Sequence, residues 1–101
     1  MAEIVEIVGR ASEQTEYPVV TRQILCMHSR LHYDINRATV DLAAQYPNYV
    51  CAVDIAGGDA AYAEKLDEII QLYRYAQSLG VKTTGHLYET SNGCYPELLP
   101  Y

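Results

Sequence analysis

From Ala2 to about Gln14, Ile4, Val5, Val8 and Ala11 recur at helical spacing, with Glu3 and Glu6 near the start where the helix dipole favours acids. That pattern predicts a first helix, stopped by Pro18. Val19 to Met27 is then rich in β-branched and apolar residues over the length of a buried strand. Asp34 offers an N-cap to a second helix with Ile35, Ala38, Leu42 and Tyr46 on one face, ended by Pro47 and Asn48. Tyr49 to Ala56 is almost continuously apolar, as expected of a strand covered on both faces, and Gly57-Gly58 break it. Asp59 can cap a long helix whose stripe is Tyr62, Leu66, Ile69, Tyr73 and Ala76, and Gly80 stops it. Val81 to His86 predicts a third strand, and Asn92-Gly93, Pro96 and Pro100 predict turns beyond it.

The predicted strands start near positions 19, 49 and 81, a spacing of about 30 residues that fits successive β-α-β units. Alternation of strand and helix implies a parallel sheet, and right-handed crossovers put every helix on the same side when strands are added in sequence. Such a sheet curls toward a barrel, but three strands cannot close one, and a full β/α barrel takes about 250 residues. The expectation is therefore an α/β fold, a partial parallel (β/α) barrel of about three strands with flanking helices. Residues 1–101 are expected to form a single segment of something larger, and the sequence has no internal linker or low-complexity tract.

Composition narrows the partners. A formal charge of −6 with seven scattered basic residues argues against nucleic acid or an anionic membrane, both of which select clustered Lys and Arg. No window approaches the roughly 18 apolar residues of a membrane span, and Met1 to Glu6 lack the basic region of a signal peptide. The expectation is a soluble cytoplasmic chain. Cys26, Cys51 and Cys94 form no C-x-x-C pair and an odd set, so reduced thiols are expected, with Cys26 and Cys51 packed as small hydrophobes in strands.

Candidate chemistry gathers at the carboxyl ends of the strands, where α/β folds place their ligands. There Asp54-Ile55-Ala56-Gly57-Gly58-Asp59 closes the second strand and Thr84-Gly85-His86-Leu87-Tyr88-Glu89 closes the third. Neutral imidazole is a good zinc ligand, and a nearby carboxylate can move a proton while a metal activates water, so His86 and Glu89 suit metal-assisted hydrolysis. The competing reading is a strand-end histidine bonded to backbone beside a solvated glutamate. Gly57 could let its backbone N–H approach a ligand closely, or be no more than a tight turn. Asp54 stands at the strand end, where it can orient a neighbour. His28 and His32 are four apart, but a strand end followed by a new helix makes that spacing accidental. No P-loop, Ser-His-Asp or H-E-x-x-H arrangement occurs.

Taken in order and spacing, Thr21-Arg22-Gln23-Ile24-Leu25-Cys26, Asp54-Ile55-Ala56-Gly57 and Thr84-Gly85-His86-Leu87-Tyr88-Glu89 resemble the middle of the adenosine deaminase family. The resemblance covers nearly the whole chain and implies the fourth to sixth strands of a zinc-bearing β/α barrel. It implies that His86 matches a zinc-ligand histidine, Glu89 the glutamate that protonates purine N1, and Gly57 the glycine whose N–H contacts the purine. The implied reaction is hydrolytic deamination of adenosine or a related 6-aminopurine, with one zinc ion in the complete enzyme. His86-Leu87-Tyr88-Glu89 stands where the family has His-Ala-Gly-Glu, and Gly58-Asp59 where it has Asp-Glu. The family's early H-x-H pair, later histidine and late aspartates have no counterpart here. The chain is accordingly expected to be inactive in isolation, pairing with itself or with missing barrel segments. The alternative is a non-catalytic α/β packing or interaction module derived from a deaminase.

Overall fold

The computed structural model describes residues 2–14, 16, 20–57, 59–86 and 96–101, at 59–63 and 96 by backbone alone. Its elements are α1 (Ala2–Glu13), β1 (Gln23–His28), α2 (Tyr33–Gln45), β2 (Val50–Ala56), α3 (Asp59–Ser78), β3 (Lys82–Thr83) and a 3₁₀ turn at Pro96–Leu98. The strands form one parallel sheet in chain order, β1-β2-β3. The fold is α/β, with the sequential parallel topology that the β-α-β spacing predicts.

Side chains on a strand alternate between faces, and the register assigns each face its set. Leu25 and Met27 stand beside Val53 and Ile55, and all four are buried against Val40, Ala43, Ile69, Leu72, Tyr73 and Ala76 of α2 and α3. Ile24, Cys26 and His28 alternate onto the other face, beside Ala52, Asp54 and Ala56, and all three are exposed. Cys26 is thus not the packed small hydrophobe its strand position predicts, and Cys51 is exposed as well.

β1 begins at Gln23, later than Val19, because Val20 to Arg22 carry no ladder bonds and are exposed. β3 is shorter than expected, yet Thr84 N–H donates to Val53 O at 3.0 Å and His86 N–H to Ile55 O at 3.1 Å, so the parallel bonding runs on to His86. α3 buries the predicted Ile69, Tyr73 and Ala76 and half-buries Leu66; Tyr62 lies outside the described side chains. Gly80 (φ +77°) ends it in a Schellman arrangement, with Gly80 N–H on Gln77 O at 3.1 Å and Val81 N–H on Ala76 O at 2.9 Å.

α2 departs from its predicted face and cap. His32, not Asp34, caps it, its Nδ1 accepting the Asp34 N–H at 3.3 Å. Asn36, Thr39, Val40, Leu42 and Ala43 are buried while Ile35 is 52% exposed. The inversion follows from Asn36, which has work to do at the end of β1. α1 docks through Gly9, where any Cβ would run into the Tyr49 ring, and through a 2.6 Å hydrogen bond from the Tyr46 hydroxyl to Glu6. That carboxylate holds the Tyr46 pKa above its ordinary value. At the other end of the sequence Leu98 is buried in the core, and the Tyr101 hydroxyl accepts from Arg74 at 2.8 Å.

Candidate functional site

His86 arrives at the carboxyl edge of the sheet because three constraints fix the preceding residues. The Thr84 and His86 N–H groups are held by β2. The Tyr73 hydroxyl donates to Thr84 O at 2.8 Å, an approach that only a glycine at 85 admits, since a Cβ there would lie 2.6 Å from that hydroxyl. The imidazole then places Nδ1 3.0 Å from Asp54 Oδ2 and 3.1 Å from Ile55 O. Both neighbours are acceptors, so Nδ1 carries the proton and donates. In the neutral ring Nε2 then keeps its lone pair, the arrangement in which a carboxylate fixes the tautomer of a metal-ligating histidine.

Asp54 fulfils the orienting role expected of it. Its side chain is 14% exposed against 49% for His86, so the carboxylate lies beneath the ring and the ring faces solvent. Asp54 Oδ1 is buried without a hydrogen-bond partner among the described residues. Cys26 is its register partner on β1; although the residue is exposed, partial desolvation of its sulfur first, and the Asp54 charge second, push the Cys26 thiol up.

Gly57 adopts φ +133°, and a side chain at this position would overlap Ser29 Oγ. Ser29 is fully buried, its N–H donates to Ala56 O at 2.8 Å, and its hydroxyl has no partner among the described residues. The glycine is therefore required both by its backbone angle and by the serine that fills the space a Cβ would take. His86, Asp54 and Gly57 share the carboxyl edge of the sheet. Glu89 lies outside the described residues.

Sequence reasoning missed Ser29 and Asn36. Asn36 is buried on α2; its Oδ1 accepts the His28 N–H at 3.1 Å and its Nδ2 donates to His28 O at 2.9 Å. An asparagine inside a helix is the available signal, because its side chain competes for backbone partners. His28 and His32 form no metal pair: each Nδ1 accepts a backbone N–H, from Arg30 at 3.1 Å and from Asp34 at 3.3 Å. A shallow cavity of about 210 Å³ lined by Gly9, Arg22, Gln23 and Tyr49 lies at the amino ends of the strands, opposite His86.

Among the described residues, no three His, Cys, Asp or Glu side chains converge to hold a metal ion. The His86 nitrogen suits zinc as one ligand, and one ligand does not make a zinc site. No helix among the described residues is long and apolar enough to cross a membrane. No protein-family model matches the chain, and no curated protein is a significant match to it.

Proposed function

We propose that this chain is a segment of a zinc-dependent, cytoplasmic purine deaminase whose sheet curls into part of a β/α barrel, inactive by itself. The observation that carries the reading is the His86–Asp54 pair: a 3.0 Å contact that protonates Nδ1 and leaves Nε2 as a ligand nitrogen at the carboxyl edge of a parallel sheet. Bound zinc would supply an activated water for hydrolysis. In this reading His86 would give zinc one nitrogen, Asp54 orients the ring and holds the neutral form in the tautomer with its proton on Nδ1, and the Gly57 N–H orients the purine. Glu89 delivers a proton to purine N1, allowing the ring to accept charge while ammonia leaves. The remaining zinc ligands come from outside the described residues.

Zinc titration of the purified chain, followed through the histidine ring nitrogens, tests this. Weak binding at His86 Nε2, lost in Asp54→Ala and His86→Ala, is the expected result, together with no ammonia from adenosine. Zinc without effect on His86 overturns the metal role, and sustained ammonia release overturns inactivity in isolation.

The exposed Ile24 on the sheet and Ile4, Ile7 and Val8 on α1 support a second reading, a non-catalytic module that packs against a second copy. Light scattering separates the two, since a monomer at high concentration removes the self-pairing reading.

A further inference from the structure

The two histidines at the carboxyl edge are held in opposite tautomers. In its neutral form His86 presents a bare Nε2, because Nδ1 donates toward Asp54 and Ile55. His28 has the reverse arrangement. The Arg30 N–H donates to its Nδ1 at 3.1 Å, so the proton of the neutral ring sits on Nε2. The ring is exposed, in the alternation that puts Ile24 and Cys26 on the open face.

The His28 backbone is held from both sides. Asn36 grips its N–H and its carbonyl at 3.1 and 2.9 Å from a buried position on α2. On the opposite side the ladder pairs it with Ala56, the residue before Gly57. A buried amide replaces an apolar contact in the α2 face in order to fix this one backbone unit. β1 and β3 flank β2, so the backbones that carry the two histidines stand two strand spacings apart, on the order of 10 Å. That is about the long dimension of a nucleoside.

We infer that His28 is a ligand-binding residue whose Nε2–H donates a hydrogen bond to a ribose hydroxyl oxygen of a purine nucleoside lying across β2, with the base toward His86 and Gly57. The inference rests on the purine reading above and names the part of the ligand that reading leaves open. It makes the sugar a specificity element: adenosine satisfies His28 and free adenine does not.

The test uses the chain labelled with ¹⁵N and held near pH 8, where an ordinary histidine, of pKa about 6.5, is neutral. Long-range ¹H–¹⁵N spectra should show Nε2–H at His28 and Nδ1–H at His86. Adenosine should then shift the His28 ring nitrogens, whereas adenine should shift the Gly57 amide and leave His28 unmoved. The adenosine preference over adenine, about tenfold for one hydrogen bond of this kind, should disappear in His28→Ala and persist in His28→Gln, whose amide restores a donor. A proton on His28 Nδ1, or adenosine shifting Gly57 but not His28, overturns the role of His28 and leaves the purine reading intact. Neither compound moving Gly57 or His86 overturns the purine reading, and the His28 role with it.

Discussion

The two faces of the sheet use the same strands for different ends. On the covered face Leu25, Met27, Val53 and Ile55 are between 0 and 8% exposed and carry the core. On the open face Ile24 is 54% exposed, and Cys26, Asp54 and His28 follow it toward the carboxyl edge, where His86 joins them. Alternation along a strand makes this division possible, because a change on one face leaves the packing of the other untouched. Stability and chemistry are thus assigned to adjacent residues of one strand: Val53 is buried, Asp54 orients an imidazole, Ile55 is buried.

Substitutions can break that division at graded cost. The largest loss is expected at Ile55→Ala, about 3 kcal/mol from a fully buried side chain, read as a fall in the urea midpoint by circular dichroism. Gly57→Ala should cost about 2 kcal/mol, combining its left-handed backbone angle with the overlap on Ser29. Adding Ser29→Gly should recover the overlap portion and leave the backbone portion, so full recovery in urea melts would show that the angle itself carries no cost.

Cys26 tests the open face without unfolding it. Because burial and Asp54 raise its pKa, thiolate forms at higher pH than in an ordinary cysteine, and alkylation by iodoacetamide should begin later than in an unfolded peptide control. Asp54→Asn removes the second of these causes and should move the profile part of the way back; an unchanged profile would mean the carboxylate does not act on the thiol. The sign is that of a raised acid: any stability tied to the neutral thiol is present below the unfolded pKa and lost as pH rises through the folded one. The smallest effect belongs to Ile24→Ala, below about 0.5 kcal/mol despite changing the same residue type as Ile55→Ala. A loss comparable with Ile55 would mean that the open face is covered in solution.

Much of the covered face was legible in the sequence. β2 and the Ile69, Tyr73 and Ala76 stripe of α3 bury apolar residues with the period of their element, and Gly80 marks a helix end by its freedom at positive φ. The open face was less so. Hydrophobic periodicity assigns Ile35 to the core and Asn36 to solvent, and the structure reverses them, because two hydrogen bonds to His28 outweigh the pattern. Cys26 misled for a related reason: an apolar strand reads as covered on both faces, and nothing local says that one face is bare. Asp54 and His86 were individually legible as strand-end polar residues. Their pairing required β2 and β3 to be neighbours in the sheet, and Ser29 beneath Gly57 required the same of β1 and β2.

The contact of Gly9 with Tyr49 also orders events in time. The backbone of α1 can settle only on a ring some 40 residues away, and its Glu6–Tyr46 bond spans the same distance. Contacts of such separation form after local ones, so α1 should dock behind the transition state. Gly9→Ala should then quicken unfolding in stopped-flow measurements and leave the refolding rate nearly unchanged, making this helix a late clasp on an already assembled sheet.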